Sequence, residues 1–221
     1  MGVVLILSLV GGVALWWFVI RPPTLAGFPE LAKLQELDNK IQNKTPFSPV
    51  DRPLSQEELD QFLSVQRAIQ KPLKDIVTIV EKQSKQPLEQ QPKESDHRTT
   101  GADPTQTWLL KNALNPLLLA KTAQVDALNR LDLSEAKYTW IRGEVTRAYF
   151  GLMSPELDMD SLFKPETNLK SLLNGLGIAT SVSSETFNAN KTLLAPHFIH
   201  GELDMVIPSF ILDGGPTETR S

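Results

Sequence analysis

The chain opens MGVVLILSLVGGVALWWFVIRPP, and residues 2–20 contain no charged side chain, with Ser8 the lone polar one. Nineteen residues rising about 1.5 Å each would span about 28 Å as a helix, close to the roughly 30 Å hydrocarbon core of a bilayer. Trp16 and Trp17 lie near its far end, where amphipathic rings favour the headgroup level, and Arg21 followed by Pro22 and Pro23 ends the run. A secretory signal would carry a basic start, a shorter apolar run and a small-x-small cleavage site, and this segment has none of these in clean form. The reading is a retained membrane anchor over residues 1–21, with a cleaved signal or a buried core helix as alternatives. Gly11 and Gly12 are small enough to let a second helix approach, although their spacing is not GxxxG. Arg21, Lys33, Lys40 and Lys44 follow the run and literally favour a cytoplasmic domain. Large domains translocate largely regardless of charge, however, and the balance tips to the extracytoplasmic, periplasmic side.

The remainder of the 221 residues suits one further domain. Hydrophobic residues make up 41%, enough for a core. Net charge is −4 and the isoelectric point is near 5.5, which supplies no basic face for nucleic acid. The absence of cysteine excludes disulfides, thiolate chemistry and cysteine-based metal or haem attachment.

Periodicity predicts a mainly α chain, a single transmembrane helix followed by an irregular bundle of four to six helices. Residues 22–54 form a juxtamembrane helix, with Leu31, Leu34, Leu37 and Ile41 at steps of three and four, and then a connector broken by the prolines of TPFSPVDRP. The helical domain covers 55–212. Ser55 and Glu58 in LSQEELDQF have capping-box spacing, and Leu59, Phe62, Ile69, Leu73, Ile76 and Val80 continue one apolar face. Pro72 inside that face should kink or split the helix. Residues 82–106, rich in Gln, Pro and charge, read as a polar loop. Residues 108–131 read as the central buried helix, again with an internal proline, Pro116. Ser134 should cap the next helix, whose inner face carries Tyr138, Ile141, Val145, Ala148, Tyr149 and Leu152. A short helix ending at Gly175, a possible strand near residues 178–183, a helix limited by Pro196 and Gly201, and a frayed tail at 213–221 complete the reading.

Few residues suggest chemistry. His197 and His200 are spaced to share a helical face, and with Glu202 and Asp204 behind them they could hold zinc or iron, but there is no HExxH and Gly201 interrupts the helix. Glu156, Asp158 and Asp160 lack the glycine and closing glutamate of a calcium loop. Gly175 and Gly177 lack the Lys-Ser/Thr of a phosphate loop, and no G-x-S-x-G elbow nominates a nucleophile. Trp140 and Arg142 in YTWIRGEV fall on flanking faces, where a partly exposed tryptophan beside arginine has the composition of a partner interface.

These features point to a non-catalytic, single-pass accessory or scaffolding subunit of a membrane protein complex, with the bilayer and integral membrane proteins as partners and no cofactor. The alternatives are an anchored binding module or sensor for a small apolar ligand or client, and a metal-dependent enzyme using His197 and His200. The stretches LSQEELDQFLSVQRAI and LSEAKYTWIR resemble segments of bacterial membrane-anchored proteins, and that resemblance implies no activity.

Overall fold

The computed structural model describes residues 29–84, 104–153, 183–204, 206–209 and 212. They are mainly helical, with no strand among them. In chain order the helices are α1 (Pro29–Asp38), α2 (Gln56–Ser84), α3 (Pro104–Arg130), α4 (Glu135–Met153), α5 (Ser184–Ile199) and the short α6 (Val206–Ser209). Among the described residues no helix is long and apolar enough to cross a membrane. The apolar run 2–20, the expected helix ending at Gly175, nearly all of the possible strand and the tail lie outside the described residues.

The chain divides into two compact units, one drawn from residues 1–40 and 69–125, the other from 41–68 and 126–221, so α2 and α3 each contribute to both. In the first, Ile69, Leu73 and Ile76 of α2 are buried at steps of four and three, as are Ala113, Leu117 and Ala120 of α3. That is the spacing of one helical face. Lys121 is only 2% exposed, and its ammonium pairs with Asp38 at the end of α1 at 2.5 Å. A buried lysine needs such a partner, because an uncompensated charge in a core is strongly destabilising.

In the second unit, α2 begins at a reciprocal cap. The Glu58 amide donates to Ser55 Oγ at 3.2 Å, and the Ser55 amide donates to Glu58 Oε2 at 3.0 Å. These are two orphan donors of a helix start, satisfied by the two residues whose spacing predicts it. Arg52 adds a bidentate pair to the same carboxylate at 2.7 and 2.8 Å, with Lys137 Nζ at 3.6 Å. The Arg52 guanidinium foremost, and then the Ser55 amide and Lys137, hold the Glu58 carboxyl down at about 2. A carboxyl lowered on folding contributes stability above its unfolded value and loses it as the pH falls through the folded one. Glu58→Gln is therefore expected to be less stable than the parent at pH 6 and to show a shallower loss of stability between about pH 4.5 and 2, measured by urea unfolding across that range.

The structure overrides four local expectations. Both α2 and α3 run unbroken through Pro72 and Pro116, because continuous apolar faces on either side hold the turns that each missing amide weakens. The ends of the expected loop are helical, since α2 reaches Ser84 and α3 starts at Pro104; residues 85–103 are not described. Ile41, expected to extend the first helix, lies past the end of α1 and is buried from an extended segment instead. Nor is α3 the helix buried on all sides, as Leu119 is 58% exposed. That position belongs to α4, where every residue from 140 to 149 is buried. It packs against α5 and α6, and Gly151 permits the closest approach: a Cβ there would lie 2.4 Å from the Phe187 ring.

Candidate functional site

Helix α4 buries charge as well as apolar surface. Arg142, Glu144 and Arg147 are at most 4% exposed, amid Ile141, Val145 and Ala148. Arg147 Nη1 donates to both carboxylate oxygens of Glu144 one turn back, at 2.8 and 2.9 Å. From α5, the fully enclosed Asn190 donates through Nδ2 to Glu144 Oε2 at 3.0 Å and accepts the Leu54 amide at 2.8 Å. Burial pushes the Glu144 carboxyl up, against the downward pull of the Arg147 charge and the hydrogen bonds from Arg147 and Asn190. Burial lowers Arg142, whose guanidinium lies 5.7 Å from the centre of the Tyr138 ring.

Asn190 thereby joins α4, α5 and an extended strap, residues 41–55, kept out of helix by Pro46, Pro49 and Pro53. Ile41 and Leu54 bury the strap's ends, and side chains of the unit hold what lies between. The Gln42 amide donates to Asn129 Oδ1 at 2.7 Å, and Asn43 Nδ2 donates to the Asp132 carbonyl at 2.7 Å. Phe47 and Arg52 both lie against the Trp140 ring, at 5.1 and 4.8 Å from its centre. The Asp51 carboxylate accepts from the amide and hydroxyl of Ser183, the N-cap of α5, at 3.2 Å. The Thr186 hydroxyl, and then the Ser183 donors, hold the Asp51 carboxyl below its ordinary value. A carboxylate before a helix start meets unpaired amides and the positive end of the helix dipole, so this contact anchors the strap to α5.

The structure corrects one expectation about site residues. Trp140 and Arg142 are not partly exposed: they retain 7% and 2% of their surface, because the strap covers one and α4 is enclosed around the other. Of the weak metal candidates, His197 and Glu202 meet each other and His200 turns to the backbone. His197 Nδ1 pairs with Glu202 Oε2, whereas His200 Nδ1 meets the Pro196 carbonyl at 2.7 Å. Among the described residues no group of three His, Asp or Glu side chains is placed to hold a metal ion. Gly11, Gly12, Trp16, Trp17 and Arg21 lie outside the described residues, as do Glu156, Asp158 and Asp160.

Sequence reasoning does not single out Glu144, Arg147, Asn190 or Asp51. The legible signal is the Glu144–Arg147 spacing of three within a run of large apolar residues, where charges on one turn of a buried helix must pair. Nothing local marks Asn190 or Asp51, because their partners lie 136 and 132 residues away. Comparison with protein-family models, curated proteins and solved structures finds no match.

Proposed function

We propose that this protein is a non-catalytic, single-pass, membrane-anchored accessory or scaffolding subunit of a larger bacterial membrane complex, its helical domain on the extracytoplasmic side. The observation that carries the reading is the uncharged run at residues 2–20 with its tryptophan pair and its Arg-Pro-Pro end. The polar side chains around α4 and the strap support it in a second way. Glu144, Arg147, Asn190, Asp51 and Glu58 are engaged with one another, with caps and with the strap, and they fasten helices together. The strap follows α1 along the chain and is fastened to α4 and α5.

The anchor itself is tested by fractionation of the full chain expressed in a bacterium. It should stay with the membranes through alkaline carbonate washing and float with lipid. Replacing Val10 and Val13 by aspartate should release most of it, since each charge at a helix centre costs about 2.5–3.5 kcal/mol on insertion scales. A parent chain found wholly in the soluble fraction would overturn the reading.

A further inference from the structure

Two helices of this chain end in the same hydrogen-bonded turn but close it with different chemistry. At the end of α3 the Leu133 amide donates to the Leu128 carbonyl at 2.9 Å and the Asp132 amide to the Asn129 carbonyl at 3.2 Å, with Asp132 at φ 49°. At the end of α5 the Glu202 amide donates to the His197 carbonyl at 3.1 Å and the Gly201 amide to the Phe198 carbonyl at 3.2 Å, with Gly201 at φ 70°. Both are Schellman turns, which an apolar contact between the first and sixth residues frequently accompanies. The α3 turn follows that rule, with Leu128 and Leu133 both buried. In the α5 turn those two positions are His197 and Glu202, and their side chains pair with each other.

We propose that this turn, residues 199–204, is a proton-sensitive latch: the imidazolium–carboxylate pair holds it shut, and loss of either charge loosens it. Imidazole is the side chain that changes charge between about pH 5 and 8. When His197 is protonated its Nδ1–H donates to an ionised Glu202, and the negative end of the α5 dipole favours the imidazolium. Once the imidazole is neutral, the ion pair falls to an ordinary hydrogen bond, in competition with the tautomer that carries its proton on Nε2. The His197 contact foremost holds the Glu202 carboxyl below its ordinary value, so the acid limb of the latch is lost only as the pH falls past the carboxylate range.

The other charged groups around the pair modulate it. His200 lies on the same turn with its ring on the Pro196 carbonyl, Asp204 approaches Gly201, and the charge of Arg67 on α2 acts on Glu202. From α4, Tyr149 faces Asp204 and stacks edge-on against Phe198. Leu203 within the turn and Val206 at the start of α6 are at most 1% exposed, and α6 packs on α4. Loosening the latch therefore frees the start of α6.

Amide hydrogen exchange on the full chain in detergent tests this, with rates corrected for the intrinsic effect of pH. The amides of Gly201, Glu202 and Val206 should be about two- to fivefold better protected at pH 5.5 than at pH 8, the range expected of a partly exposed pair. The amides of Asp132 and Leu133, closed by leucines, should show no such difference. Glu202→Gln should abolish the pH dependence. The double variant His197→Leu with Glu202→Leu should keep protection at both pH values. Equal protection of the parent at pH 5.5 and 8, or a difference that survives Glu202→Gln, would overturn the proposal.

Discussion

Glu144→Ala is expected to lower the unfolding free energy by about 3–5 kcal/mol, the cost of taking one partner from a buried charged pair. The carboxylate receives a bidentate contact from Arg147 and a hydrogen bond from Asn190, all within a helix that has no solvent-facing side over residues 140–149. Removing it takes an acceptor from three donor contacts at once and leaves the Arg147 charge where water does not reach. For a chain of this size the loss corresponds to a fall in Tm of roughly 6–20 °C, readable by circular dichroism in mild detergent. Glu144→Gln, which keeps an acceptor for Asn190, should lose about half as much. A loss below 1 kcal/mol for the alanine variant would mean that the network does not hold α4 to α5.

Trp140→Ala should cost a similar amount, about 3–5 kcal/mol, through the lost burial of a large ring and the cavity it leaves. Phe47 and Arg52 of the strap both lie against the ring, so the variant should also free the strap. Its signature is easier protease cleavage within residues 43–52, together with the lower Tm. Trp140→Phe should restore most of the stability but less of the strap's protection. A tryptophan that served as a partner anchor would behave oppositely, with unchanged stability of the isolated chain and a lost partner. That outcome would reinstate the interface role that its neighbourhood with Arg142 suggests from sequence.

What the sequence reveals here follows the reach of each signal. Capping is local: Ser55 and Glu58, and Ser134 with the Lys137 amide, sit where their spacing predicts, because a cap needs only the next three residues. The α2 face is equally legible, since Leu59, Phe62, Ile69, Leu73 and Ile76 repeat at helical steps and are all buried. Pro72 does not split α2, because buried apolar residues continue the helix face on both sides of it. Helix α4 misleads more deeply. Amphipathic reasoning assumes a wet face, whereas α4 is enclosed all round over residues 140–149 and its Arg142, Glu144 and Arg147 answer to partners rather than to water. The strap escapes sequence reasoning for a related cause. Its order comes from Asn129, Asp132, Trp140, Ser183 and Asn190, which the fold brings to it from elsewhere in the chain.

The most direct test of the proposed role is affinity isolation of the full-length protein from gently solubilised membranes, followed by mass spectrometry of the eluate. A fixed, stoichiometric set of integral membrane proteins is expected to co-elute with the chain. Recovery of the protein alone under those conditions would contradict it.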